Sequence, residues 1–276
     1  MVYLSIPDLK YVQWLSKSST KISSSDGVPI ELWDLNHQHD DTILSEWAKH
    51  FRNHYCLDSM IDCLRDGTGL SRKDYLINMI FPDNKEDFGP ITRSGDFGEI
   101  IVADWLEYLK NYWVPRSRYA NKATRNESVK GSDVIGIKFH SQGSFSVKDE
   151  LTICEVKAKL RSSNSDNPIQ KAIDDSIKDN KRIGLSLNAL KRHLIEDNLD
   201  SEADKVKRFQ NPIKSPYKKT FNAVAVFSNS TYSDEFVHNA SVVAHPNSEH
   251  LHIIVIKGEN LMELVHHLYG RAADEA

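Results

Sequence analysis

Residues 151–158, LTICEVKA, decide the fold that this sequence predicts. The run is short and rich in β-branched residues, and strand alternation places Glu155 and Lys157 on the same face. The preceding run 133–139, DVIGIKF, is likewise short and rich in β-branched residues, and the turn-rich segment between the two runs is typical of a hairpin. Charged side chains rarely enter such strands unless they are paired or bind a metal. The same stretch therefore carries both the fold signal and a chemical one.

Helices and further strands extend outward from this hairpin. The stretch 96–110, DFGEIIVADWLEYLK, is apolar almost all round, which predicts a helix buried on most sides. The order helix, strand, strand, helix, helix, strand, strand, helix predicts an α/β fold with a central mixed sheet flanked by helices. The other predicted elements are helices from Pro168 to about Lys181, at about 186–208 and at 259–270, and buried strands at 221–227 and 251–257.

The region before this core has a different texture. Residues 1–40 give no clear signal, whereas apolar residues recur at helical spacing through residues 41–80, with a capping box at Ser71 and Asp74. The segment 81–90, FPDNKEDFGP, carries two prolines and a glycine and is the candidate boundary. The sequence thus predicts a mostly helical N-terminal lobe, residues 1–90, and a second domain, residues 91–276.

Charge is distributed unevenly along the 276 residues. The net charge of −4 hides a basic middle, +6 over residues 91–220, between flanks of −5 each, residues 1–90 and 221–276. A basic middle can bind a polyanion, because neutralised phosphates release counterions. A solvated helical face is the alternative interpretation.

Composition and cysteine usage exclude several classes of protein. Mean hydropathy is −0.50 and no apolar run approaches about 18 residues, so we expect no membrane span. The first residues lack a basic stretch followed by an apolar core, so we expect no secretory signal. Three cysteines without a CxxC pair indicate a reducing, cytoplasmic location. The twelve histidines show no HExxH pattern, and Gly-rich phosphate loops and GxSxG are absent, which disfavours zinc enzymes and nucleotide hydrolases.

A second acid lies close to the charged strand. Asp133 opens the neighbouring strand of the predicted hairpin. Two acids on adjacent strands, with a lysine beside them, can hold a divalent cation and position a water molecule. The alternative is that Glu155 and Lys157 form an inward ion pair that only fixes the strand register.

Together, Gly131-Ser132-Asp133, a hydrophobic strand and Glu155-Val156-Lys157 resemble the PD-(D/E)XK nuclease signature over roughly residues 91–260. The resemblance implies that Asp133 and Glu155 bind Mg²⁺ or Mn²⁺ and that Lys157 activates water. The chain departs from the pattern by having Gly-Ser before the aspartate and a long insertion at about 185–215.

A glutamate on the preceding helix is a further family feature. Glu99 fits that position, and its helical face, shared with Val102 and Leu106, predicts that it points inward. The resemblance would make Glu99 a third metal-binding, catalytic residue. The alternative is that Asp96 caps the helix and Glu99 is its N3 partner.

The segment 113–133 interleaves cations with aromatic rings, as a groove for a nucleic-acid strand requires. A solvated loop is the alternative. The candidate DNA-binding residues are Arg116, Arg118, Lys122, Arg125 and Lys130, with Lys159 continuing the charged strand.

The order of these motifs along the chain most resembles the HamA family, the nuclease subunits of Hachiman anti-phage defence. The resemblance implies a DNase controlled by HamB, a superfamily 2 helicase. Two other functions remain open from the sequence: a self-sufficient restriction-type endonuclease, and a non-catalytic DNA-binding or partner-docking module.

Overall fold

The computed structural model describes residues 9–86, 88–116, 118–141, 145–162 and 166–276. Within these residues the chain forms one mixed β-sheet with helices on both faces, which confirms the predicted α/β class. The strands are β1 (Leu15–Lys17), β2 (Ile22–Ser23), β3 (Pro29–Leu35), β4 (Val134–Lys138), β5 (Glu150–Lys159), β6 (Lys218–Ser228) and β7 (Leu251–Gly258).

Strand order in the sheet is β1-β3-β7-β6-β5-β4, with β2 also on β3. The predicted hairpin is present as the antiparallel pair β4–β5, whereas β5, β6, β7 and β3 run parallel to one another. Strands β6 and β7 are buried along most of their length, as their continuous apolar sequences predict. Part of the predicted hairpin turn, residues 142–144, lies outside the described residues.

Helices cover the two faces of the sheet in separate groups. Helices α4 and α9 pack with α1 on one face, and α5 and α8 pack on the other, where α6 and α7 extend the layer beside β4. The helices are α1 (Asp41–Tyr55), α2 (Ile61–Arg65), α3 (Arg72–Tyr75), α4 (Gly89–Asp104), α5 (Pro168–Ser176), α6 (Asp179–Glu196), α7 (Asp200–Lys207), α8 (Asp234–His238) and α9 (Leu261–Asp274).

Helix α4 differs from its prediction in where it begins. It starts at Gly89 rather than residue 96, with Pro90 in its first turn, where a missing N–H breaks no helical hydrogen bond. Asp96 therefore lies inside the helix, and the interpretation of Asp96 as the N-cap is wrong. Gly98 allows α4 to lie close to β5, because a Cβ at this position would come within 3.1 Å of the Ala158 Cβ.

Two other elements differ from the sequence-based expectation. The helix predicted at about 186–208 is two helices, α6 and α7, which pack against each other. Within residues 1–40, which carry no clear sequence signal, the chain forms β1, β2 and β3. The division of the chain at residue 90 remains a prediction, but β3 pairs with β7 and α1 packs on α9, so the two parts share one sheet and one core.

Helix length and hydropathy bear on the expectation about membranes. None of the helices in the described ranges is both long enough and apolar enough to cross a bilayer.

Candidate active site

The β4–β5 hairpin brings the two predicted acids together. Val134 pairs with Cys154, so Asp133 occupies the position opposite Glu155 at the end of the antiparallel ladder. The backbone N–H of Val156 donates to Oδ2 of Asp133 at 2.9 Å, which fixes the orientation of this carboxylate. The hairpin register therefore places Asp133 and Glu155 side by side, as the sequence predicts.

Glu155 and Lys157 form an ion pair within a larger charged cluster. Glu155 is 5% exposed, and the Nζ atom of Lys157 lies 2.5 Å from its Oε1. Arg182 on α6 binds Oε2 of Glu155 at 3.1 Å, and Asp175 on α5 binds Nζ of Lys157 at 3.0 Å. Two helices thus supply additional partners, so neither member of the pair depends on the other alone.

Glu99 reaches the cluster indirectly. It is 8% exposed, which confirms that it points inward from α4, but α4 covers the face of β5 that carries Val156, opposite Glu155. Arg118 connects it to the hairpin, with Nε 2.9 Å from Oε2 of Glu99 and Nη2 3.1 Å from Oδ1 of Asp133. The guanidinium of Arg118 therefore bridges the two carboxylates.

Asp179 belongs to the same cluster and was not among the predicted residues. Its Oδ1 accepts a hydrogen bond from the Ser132 hydroxyl at 3.0 Å and lies 3.1 Å from Nη2 of Arg182. Its Oδ2 is buried without a hydrogen-bond partner in the described part of the chain. No sequence signal indicates this role, because Asp179 begins a helix and lies in a DNK triplet outside any apolar strand.

Burial makes these carboxylates hard to ionise. Burial and the nearby charge of Glu99 raise the pKa of Asp133 to about 7, although Arg118 acts in the opposite direction. Burial, with the charge of Glu155, raises the pKa of Asp179 to about 6, and burial also raises the pKa values of Glu155 and Glu99. Burial alone would lower the pKa of Lys157, but the adjacent Glu155 carboxylate raises it, so the amine stays protonated.

The donor set has the chemistry that Mg²⁺ or Mn²⁺ prefers, since all candidate ligands are carboxylate oxygens. Oδ2 of Asp179 is a buried carboxylate oxygen without a hydrogen-bond partner in the described residues, and such an atom can accept a cation. The carboxylates of Glu99, Asp133 and Glu155 do not converge within 4.8 Å of one another, however. The residues fit a divalent ion chemically, with Asp133 and Glu155 as the adjacent pair and Glu99 behind Arg118.

The cations predicted to contact DNA are mostly held by partners inside the chain. Arg116 is buried against Asp104 and Glu107, and Lys122 against Asp96. The remaining candidates are held as follows: Arg125 donates to the carbonyls of Ile77 and Phe81 and pairs with Asp83, and Lys159 donates to the carbonyl of Asp166 beneath the Phe236 ring.

Lys130 is the exposed member of the predicted set. It lines a cavity of about 130 Å³ beside Asp133, together with Arg118, Ser132, Ser186 and His193. The segment 113–130 is thus fastened to α4 by internal ion pairs, and DNA contact by its other cations stays a prediction. Asp133 itself is among the residues that line the cavity.

Comparison with known proteins gives one family. A model of the HamA family matches residues 10–272. No curated protein matches the chain.

Proposed function

Because the chain belongs to the HamA family, which acts in Hachiman anti-phage defence, we propose that it is the metal-dependent nuclease of that system. It would hydrolyse phosphodiester bonds of DNA under the control of a partner helicase, HamB. The family match supports the defence role. The observation that supports hydrolysis is the arrangement of Asp133 opposite Glu155, with Lys157 2.5 Å from Glu155, on one hairpin of the mixed sheet.

In this proposal each residue has a distinct task. Asp133 and Glu155 would hold the divalent ion, and Glu99, which Arg118 connects to Asp133, would be the third acid of the set. The bound ion supplies a water of lowered pKa and positive charge next to the phosphate. Lys157, whose pKa is raised, stays an ammonium and donates a hydrogen bond to the water or to a phosphate oxygen.

Two arginines provide positive charge at the same place. Arg118 and Arg182 each lie within 3.1 Å of a proposed ligand carboxylate. A guanidinium binds a carboxylate and a phosphate by the same planar geometry. We therefore expect both arginines to exchange carboxylate oxygens for phosphate oxygens when DNA and the metal ion enter.

The test uses the purified chain, alone and with HamB and ATP, on plasmid DNA with Mg²⁺ or Mn²⁺. We expect cleavage that EDTA stops and that Glu155→Gln abolishes. The matched control is Glu150→Gln on the same strand, since Glu150 contacts Tyr112 and lies away from the cluster. Cleavage in excess EDTA, or full activity of Glu155→Gln, would refute the proposal.

A second candidate function has one observation in its favour. Glu99, Asp133 and Glu155 each already pair with a cation of the chain, as in a fold that only docks DNA or a partner. In that case Glu155→Gln would leave anti-phage defence intact. Cleavage by the isolated chain without HamB or ATP would instead indicate a self-sufficient endonuclease.

A further inference from the structure

A second group of potential metal ligands lies between α1 and α4, apart from the hairpin. His50 and His54 are one helical turn apart on α1, and their Nε2 atoms face each other at 3.1 Å. Oδ1 of Asp104, the last residue of α4, lies 3.1 Å from Nε2 of His50. One ligand atom from each of the three residues lies within 4.8 Å of the other two, and no other group in the described part of the chain does this.

Two of the three separations, each 3.1 Å, are close to those of ligands around one small ion. A tetrahedral Zn²⁺ site with Zn–N bonds of about 2.0–2.1 Å places its ligand atoms about 3.3 Å apart. Hydrogen bonding alone explains the arrangement less well, because Nε2 of His50 carries at most one proton and faces two partners. Two imidazole nitrogens and a carboxylate oxygen form a common zinc ligand set.

The surroundings hold Asp104 in place, and its carboxylate shares a neighbouring arginine with a second acid. The Tyr11 hydroxyl donates to Oδ2 of Asp104 at 2.7 Å, a contact of the kind that orients metal ligands. Arg116 lies 2.9 Å from Oδ1 of Asp104, but it also lies 2.6 Å from Glu107. Since Glu107 offsets the guanidinium, the group keeps a net charge of about −1 when its histidines are neutral, which attracts a divalent cation.

We propose that His50, His54 and Asp104 bind a divalent transition-metal ion of the Zn²⁺ type. The His50 side chain is 17% exposed, and in this proposal a water molecule reaches the ion from that side as the fourth ligand. This site differs from the hairpin cluster in chemistry, because imidazole nitrogens select Zn²⁺ over Mg²⁺. A bound ion would connect the N-terminal helix α1 to the helix that carries Glu99, and so would stabilise the packing behind the candidate active site.

The test strips the full chain with chelator, adds Zn²⁺ or Co²⁺, and measures metal content after desalting. We expect one Zn²⁺ per chain, a tetrahedral Co²⁺ absorption band, and a melting temperature that rises with Zn²⁺ concentration but not with Mg²⁺. His50→Gln should lose the bound ion and the Zn²⁺-dependent rise. His193→Gln, a histidine on α6, is the matched control and should keep both.

Metal content of Glu155→Gln separates this site from the hairpin. Retention of Zn²⁺ by Glu155→Gln and its loss in His50→Gln would support the proposal, whatever the nuclease assay shows. The opposite pattern would overturn it, as would a stripped wild-type chain that takes up no Zn²⁺ and shows no change in melting temperature. The wild-type measurements keep the test decisive even if a histidine variant does not fold.

Discussion

Replacing Asp133 with Asn should stabilise the protein at alkaline pH while removing a proposed metal ligand. In the folded chain the pKa of Asp133 is raised from 3.8 to about 7 by burial and by Glu99. A carboxyl group whose pKa is higher in the folded state makes folding less favourable once it ionises. The penalty is absent below about pH 4, grows as pH rises, and is complete above about pH 7.

The size of the effect follows from the shift. At 1.36 kcal/mol per pKa unit, an ionised Asp133 costs an upper limit of about 4 kcal/mol of folding free energy. Asn resembles the protonated side chain, and its amide oxygen can still accept from the Val156 N–H. Arg118 loses one ionic partner but keeps Glu99 and the carbonyls of Val129 and Ser132.

Urea denaturation at pH 5 and pH 8 measures this difference directly. We expect Asp133→Asn to exceed the wild type in free energy of unfolding at pH 8, with a smaller gap at pH 5. Asp83→Asn is a control of opposite sign, because hydrogen bonds from the backbone of Lys85 and Glu86 lower the pKa of Asp83 to about 2. If the free energy of unfolding of Asp133→Asn at pH 8 is equal to or lower than that of the wild type, the reasoning is refuted. The contact with Arg118 would then stabilise the ionised carboxylate by at least as much as burial destabilises it.

Three further predictions concern the cluster and its surroundings. The double variant Glu155→Gln/Lys157→Ala should reduce DNA cleavage by roughly 10²–10⁴-fold or more. Its melting temperature should change little, since Arg182 keeps its ion pair with Asp179. A large drop in melting temperature in each single variant, with cleavage retained, would favour a purely structural ion pair. Arg118→Ala should lower the free energy of unfolding, measured by urea denaturation, by about 3–5 kcal/mol, because it leaves buried carboxylates without their cation. A change below about 1 kcal/mol would contradict the stabilising role of the Arg118 bridge between Glu99 and Asp133. Crosslinking should place HamB on the acidic N- or C-terminal part and DNA on residues 91–220; HamB found only on residues 113–130, with DNA on an acidic part, would overturn this assignment.

The hairpin and its acids could be predicted because their signals are local. Strand alternation fixes the faces of Glu155 and Lys157, and helical periodicity turns Glu99 inward. Asp179 could not be found, since its role depends on a contact with Ser132 across 47 residues.

The missed elements lack such local signals. Strands β1 and β2 are three and two residues long, too short to establish a period, and β2 lies inside the serine-rich stretch 18–27. The spacing of His50 and His54 was visible, but only the fold brings Asp104 to them. Likewise, the sequence of residues 113–130 indicates an exposed basic segment, because the partners that hold its cations lie elsewhere in the chain.

The pairing of β3 with β7 has a consequence for how the cell makes this protein. Ile30 is in register with Ile253, so β3 can pair with β7 only after more than 200 further residues have been synthesised. Helix α4, which carries Glu99, likewise completes its packing only when α9 has been made. A nascent chain that has not yet reached α9 therefore has an unfinished core beneath α4. If the protein cuts DNA, this order of assembly delays the hazard until α9 has been synthesised.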